Sequence, residues 1–252
     1  MASAKKLENK VALVTGGNSG IGLATAKLYR EHGANVIITA RSPESYAKAK
    51  SELGGAFDVV QTDVSNLAEL DRLYAHIRKT YGGLDVLFAN AGIAFFKPTA
   101  EVDLAFFDNQ FATNVRGLYF TVSKALPLLR AGSSVILNAS VVATKGFPGA
   151  SVYSATKAAV RSFARTWTAE IPVDQVRFNV LSPGPIETPI LARSGMAKEE
   201  VDAFLEGAKT TIPAKRIGRP EEMATVALFL ASQDSSYICG ADIVADGGLG
   251  QI

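Results

Sequence analysis

One cysteine, Cys239, stands among the 252 residues, so no disulfide can form within the chain and a reducing compartment is expected. Histidine is almost as scarce. His32 and His76 fall far apart in predicted helices, outside any CxxC or HExxH pattern, and no metal site is expected. Neither sign of charge prevails: 26 Lys and Arg stand against 24 Asp and Glu, a formal net charge of +2, with the signs interspersed. That balance argues against nucleic acid or an anionic membrane as a partner. No apolar run reaches the roughly 18 residues of a membrane span, and MASAKKLENK is not followed by an apolar leader core. The expected location is the cytoplasm.

What the chain has is a core: 48% of its residues are hydrophobic and 20% charged. Val- and Ile-rich runs alternate with amphipathic helical runs. Strands are expected at 11–16, 35–41, 56–64, 84–92, 133–140, 176–184 and 242–248. Helices are expected at 20–33, 44–53, 67–82, about 103–130, around Tyr153, and from near Pro220. Strict alternation with fully apolar strands implies an α/β fold: a Rossmann-type doubly wound parallel sheet of about seven strands with helices on both faces. No linker, repeat or low-complexity segment interrupts it, so residues 1–252 read as a single dinucleotide-binding and catalytic domain. The irregular stretch 185–218 is too long for an ordinary connection and is expected to be a mobile, partly helical excursion over the cleft.

TGGNSGIG (15–22) joins the first strand to the first helix. Gly16 allows the chain to turn off the strand, Gly20 lets a pyrophosphate approach the backbone, and Gly22 lets helix and sheet pack closely. The helix N-terminus then offers N–H groups and positive potential to phosphates. A Gly-rich turn need not bind anything, but this one lies where a dinucleotide loop belongs. Asn18, Ser19 and Ile21 are expected to line the cofactor with the glycines. The second strand ends in TAR, with Arg41 where NAD-binding units carry an acid for the ribose 2′-hydroxyl. A guanidinium pairs with a 2′-phosphate that a carboxylate would repel, and Ser42 and Ser19 can add neutral donors. The expected cofactor is NADP(H). SVYSATKAAV (151–160) places Tyr153 and Lys157 one helical turn apart on one face, a pair that in isolation is ordinarily a packing residue and a solvated charge.

TGGNSGIG, TDV, NAG, NVRG, Ser140, YSATK and SPGPIETP, in this order from about Lys10 onward, resemble the short-chain dehydrogenase/reductase family. The resemblance implies that Tyr153 is the general acid/base and that Lys157 activates it and binds the nicotinamide ribose. It implies that Ser140 holds the substrate oxygen and that Asn114 positions a water behind the lysine, although a helix Asn can also simply satisfy nearby backbone. A cation about 4 Å away at an effective dielectric near 20 contributes about 4 kcal/mol. That would lower a phenol pKa near 10 by up to about three. Asp63 and Val64 match the adenine contacts, Asn90 and Gly92 the NAG segment under the cofactor, and Pro183, Gly184, Ile186 and Thr188 the nicotinamide segment. Asp246–Gly248 fits a structural C-terminal motif.

The implied reaction is reversible NADPH-dependent reduction of a small-molecule ketone or aldehyde. Phe95, Phe96, Val141, Val142, Phe147, Ile190 and Leu191 are expected to wall an apolar substrate pocket, although core packing explains any of them individually. Alternatives are a 3-oxoacyl-carrier-protein reductase, a sugar or polyol dehydrogenase, and a non-catalytic nucleotide-binding regulator. The family also implies a homotetramer formed through the helix near 103–130 and the one carrying Tyr153.

Overall fold

The computed structural model describes residues 5–252. Seven strands, β1 (Val11–Val14), β2 (Asn35–Ala40), β3 (Asp58–Gln61), β4 (Leu84–Ala89), β5 (Leu129–Asn138), β6 (Val176–Pro183) and β7 (Asp242–Ala245), form one sheet in the order β3-β2-β1-β4-β5-β6-β7. Every pairing is parallel. The main helices are α1 (Gly20–Glu31), α2 (Pro43–Leu53), α3 (Leu67–Tyr81), α4 (Leu104–Phe111), α5 (Leu118–Ala125), α6 (Ser151–Glu170), α7 (Lys198–Thr211) and α8 (Pro220–Ala231).

Alternation along the strands sorts side chains into two layers. Val11, Leu13, Ile37, Val135, Leu137, Phe178 and Val180 pack with α3, α5 and α6 in one core. Their neighbours Ala12, Val14, Val36, Ile38, Ile136 and Leu181 pack with α1, α2 and α8 in the other. Strands buried on both faces read as continuous apolar runs, and the sheet lies between two helical layers as expected. Local chemistry sets the helix ends. The Asn66 side chain accepts the Ala68 N–H at 3.1 Å to start α3, and Gly82 closes it in the left-handed region at φ 73°.

Several element boundaries differ from expectation. The stretch expected as one helix over 103–130 is α4 and α5 joined by a π-helical turn, Ala112–Gly117, and β5 already begins at Leu129. A π turn leaves no mark in hydrophobic periodicity. The last strand ends at Ala245 rather than 248, because Gly247 and Gly248 turn left-handed while the Asp246 carboxylate accepts the N–H of Gly248 and Gly250. The stretch 185–218 is partly helical, containing α7, and a parallel bridge between Ile186 and Gly218 ties its two ends together.

The topology places the site. From β1 the chain runs outward to β2 and β3, then returns to β4 on the other side of β1. The carboxyl ends of β1 and β4 therefore diverge into a crevice, the switch point at which open α/β sheets bind ligands.

Arg177 on β6 is buried, at 5% exposure. Its guanidinium donates to the carbonyls of Ser235 at 2.9 Å, Ser232 at 3.1 Å and Leu230 at 3.4 Å, and to the Ser235 hydroxyl at 2.9 Å. It thus closes the negative end of α8 with a positive charge. Arg177→Met should cost about 2 kcal/mol by leaving those carbonyls unpaired. The loss should show as a lower urea midpoint.

Candidate active site

At the end of β1, Gly16 and Gly20 adopt φ of 64° and 52°, a turn that a side chain would strain. A Cβ on Gly22 would lie 2.4 Å from the Gly16 carbonyl, so only glycine lets α1 start this close to the strand. Ser19 caps α1 without a side-chain capping bond. The Asn18 side chain is half-buried, and that of Ile21 packs on the core below. Thr188 reaches the loop from the far side of the crevice: a Cβ on Gly20 would meet its methyl at 3.1 Å.

A series of hydrogen bonds crosses the carboxyl edge of the sheet. The Lys157 ammonium donates to the Asn138 carbonyl at 2.8 Å, and the Asn138 side chain donates to Asn90 at 2.9 Å. Asn90 in turn donates to the Thr15 carbonyl at 2.9 Å, while the Thr15 hydroxyl accepts the N–H of Asn90 and Ala91, each at 3.0 Å. Three strand ends, β1, β4 and β5, are thereby locked to α6. Pattern in the sequence does not single out Asn138 or Thr15. A polar residue closing an otherwise apolar strand is the signal that marks both.

Tyr153, Lys157, Ser140 and Asn114 lie close together at this edge. Ser140 begins a short 3₁₀ turn, Val141–Ala143, just after β5, and its hydroxyl faces the Tyr153 phenol. A Cβ on Gly92 would lie 3.2 Å from the Asn114 side-chain oxygen and 3.6 Å from the Lys157 ammonium, so both converge on the NAG turn. Asn114 sits in the π turn, 1% exposed. Its amide accepts the Ile93 N–H at 2.9 Å and donates to the Ile93 carbonyl at 2.8 Å and the Thr156 hydroxyl at 3.2 Å.

The expected acidification of Tyr153 by Lys157 is overturned in the chain itself. The ammonium stands 5.6 Å from the centre of the phenol ring and binds the Asn138 carbonyl. Burial, which disfavours charge on either group, is the largest influence on both. It pushes the phenol up to about 12, although the facing Ser140 hydroxyl draws it part of the way back. Burial also pulls Lys157 down to about 8.

Other expected positions divide. Arg41 is exposed at the end of β2. Ser42 is engaged in capping α2, exchanging hydrogen bonds with Ser45, rather than free to face a phosphate. The Asp63 carboxylate accepts the Ser65 N–H at 2.8 Å and the Ser65 hydroxyl at 2.7 Å. Val64 and Ile186 turn their side chains into the two main cores, and Pro183 is buried, which leaves backbone as what these residues offer a ligand. The Gly184 N–H is bound to the Ala245 carbonyl at 3.0 Å.

Of the expected pocket wall, Phe96 meets the Tyr153 ring edge-on at 5.9 Å. Val141 is core, 3% exposed, and forms a third apolar cluster with Ala208 and Ile212, against which Val142 and Phe147 pack. Phe95 instead packs on Phe106 of α4 at 6.4 Å, because alternate residues of this segment point opposite ways. Ile190 and Leu191 are partly exposed where a 3₁₀ turn begins. A groove of about 610 Å³ lies away from Tyr153, between α4, α5 and α6, lined by Phe111, Arg116, Tyr119 and Phe163 among others.

The chain resembles known proteins along its whole length. A family model described as enoyl-(acyl carrier protein) reductase matches residues 16–250. The oxidoreductase asL5 of Sarocladium schorii is 41% identical, covering 100% of both chains. The 3-oxoacyl-[acyl-carrier-protein] reductase of Thermotoga maritima is 35% identical over 97% of this chain and 99% of its own. Among solved structures, a short-chain dehydrogenase/reductase family protein superposes with TM-score 0.86 at 39% identity, covering 98% of this chain and 100% of that one.

Between about pH 8 and 10.5 an unfolded Lys157 still holds a proton that the folded one has released, so raising the pH through this window stabilises the fold. Lys157→Met removes the buried charge and its bond to Asn138. It should be more stable than the parent by about 2 kcal/mol at pH 7. That gap should narrow as the pH approaches 10, read from urea midpoints of both proteins.

Proposed function

Because the chain belongs to the short-chain dehydrogenase/reductase family, oxidoreductases that use nicotinamide cofactors, we propose that it reversibly reduces a ketone or aldehyde to an alcohol with NADPH. The observation that carries the reading is the meeting of the Ser140 hydroxyl, the Tyr153 phenol and the Lys157 ammonium at the crevice entered by the Gly loop.

The residues present fit the cofactor. The left-handed glycines bring bare backbone to the mouth of α1, and Ser19 has its hydroxyl free of helix capping. A Cβ on Gly20 would crowd the Thr188 methyl at 3.1 Å, so glycine keeps the loop backbone bare where Thr188 faces it. When bound, the reduced nicotinamide supplies a hydride to the carbonyl carbon.

The protein's part is positioning and proton supply. Ser140 and Tyr153 donate hydrogen bonds to the substrate oxygen and stabilise the negative charge that develops on it. A phenol held near 12 keeps its proton throughout the neutral range, which is the form required to donate in reduction. The proton passes from the Tyr153 hydroxyl to the alkoxide, and Lys157 stabilises the phenolate left behind. Asn114 acts at the back of this site, holding the NAG turn and, in the family's relay, a water behind the lysine.

Arg41 supports the NADP(H) preference. It is exposed at the end of β2 directly before the N-terminus of α2, where helix potential also favours a phosphate. The likeness to the Thermotoga maritima reductase keeps a carrier-bound 3-oxoacyl thioester as the second reading of the substrate. We also read the chain as a homotetramer with one contact across α4, α5 and α6. Leu104, Phe107 and Tyr119 are exposed there beside the groove, with Asp108 and Arg116 supplying charges of both signs. Residues 1–252 act as one catalytic domain in this reading, with 185–218 over the substrate and the cytoplasm as the setting.

Mixing the protein with NADPH and a panel of aromatic ketones, glucose and carrier-bound thioesters, while following cofactor absorbance, separates these substrates. No oxidation of NADPH by any carbonyl compound would remove the reductase reading. Tyr153→Phe should lose at least about a hundredfold in kcat while retaining cofactor affinity, measured by NADPH fluorescence titration. Arg41→Ala should lower the preference for NADPH over NADH by about ten- to a hundredfold, the worth of one charge-assisted contact.

A further inference from the structure

Beyond the family's four catalytic positions, Gln110 on α4 has 0% exposure and faces the same segment as Asn114, four residues on. Its side-chain oxygen accepts the Phe95 N–H at 3.1 Å. Asn114 accepts the Ile93 N–H at 2.9 Å, and the Lys97 N–H reaches the Gly149 carbonyl at 2.9 Å. The segment Ile93–Lys97 is therefore held at every second residue, as a strand would be, with two side-chain amides in place of a neighbouring strand. The residues between point the other way: Ala94 is buried, and Phe96 lies edge-on against Tyr153 at 5.9 Å with the planes 71° apart.

The orientation of the Gln110 amide follows from its partner, since a backbone N–H requires the oxygen. The amide nitrogen, also buried, has no hydrogen-bond partner among the described residues. An apolar residue of the same shape would avoid that desolvation cost, so what glutamine contributes here is the acceptor. We propose that Gln110 is a positioning residue: by holding the Phe95 N–H it sets where Phe96 stands against Tyr153, and hence which carbonyl substrates reach the phenol. The substrate clause rests on the reductase reading above; the holding of the segment does not.

The test uses the full chain with Gln110→Met, which removes the acceptor, Gln110→Glu, which retains one at the same reach, and Phe96→Leu. Backbone amide exchange over residues 93–97 reads the positioning without any catalysis. Gln110→Met should accelerate exchange at Phe95 by about tenfold and Gln110→Glu should restore protection. With acetophenone and butan-2-one as bulky and small probes, the ratio of their kcat/KM should shift about fivefold in Gln110→Met. Phe96→Leu should shift the same ratio, and the double variant should add little to either single change. Equal loss on both ketones, or unchanged exchange at Phe95, overturns the proposal. If Gln110→Met does not fold, protection at Phe95 in Gln110→Glu and the ketone ratio in Phe96→Leu decide the same two points: parent-like protection and a shifted ratio support the proposal, and lost protection or an unshifted ratio overturns it. A parent chain that reduces neither ketone ends the reductase reading and the substrate clause with it, whereas exchange still decides whether Gln110 holds the segment.

Discussion

The Lys157 ammonium is buried in a low-dielectric site with the Asn138 carbonyl as its partner, and this costly bond organises everything around it. A charge so placed has its proton affinity lowered, and the surrounding dipoles must be held to keep it there. Asn138, Asn90 and Thr15 supply that holding and pass it to the Gly loop, so the Gly loop and the Tyr153–Lys157 end of the crevice belong to one polar network. The side-chain oxygen of Asn138, which has no partner among the described residues, is a further desolvation cost at the same place.

The sheet makes such a network possible. Parallel strands all end on one edge, and the return of the chain from β3 to β4 opens that edge between β1 and β4. Residues far apart in sequence, at 16, 90, 138 and 157, then meet without any one loop being long. The rigid layers on either side fix the strand ends, so the site is placed by packing and tuned by short polar contacts. The π turn at Ala112–Gly117 is a local departure inside a helix, and it carries Asn114 to the NAG turn.

Burial acts on Tyr153 and Lys157 in opposite senses, keeping the phenol protonated and the ammonium easier to discharge. Proximity of a cation was a sound reason to expect a more acidic phenol, but distance alone omitted desolvation, which raises the phenol and lowers the ammonium. The Tyr153 phenol therefore holds its proton throughout the neutral range.

Much of this was legible in the sequence, and for identifiable reasons. Alternating apolar runs determined the layers, the Gly loop marked the crevice, and the spacing of Tyr153 and Lys157 put them on one helical face, because each is a local rule of backbone geometry. The roles of Asn138, Thr15 and Gln110 were not legible, since a polar residue shows its partner only after strands distant in sequence are brought side by side. Nor could the sequence tell that Val141 and Ile186 face inward while Phe96 faces Tyr153, because register and the layer above decide which way a strand-end side chain turns. Local pattern determined the elements and their order. Only tertiary packing decided which groups were stripped of water, and desolvation, a property of the whole enclosure, sets their proton affinities.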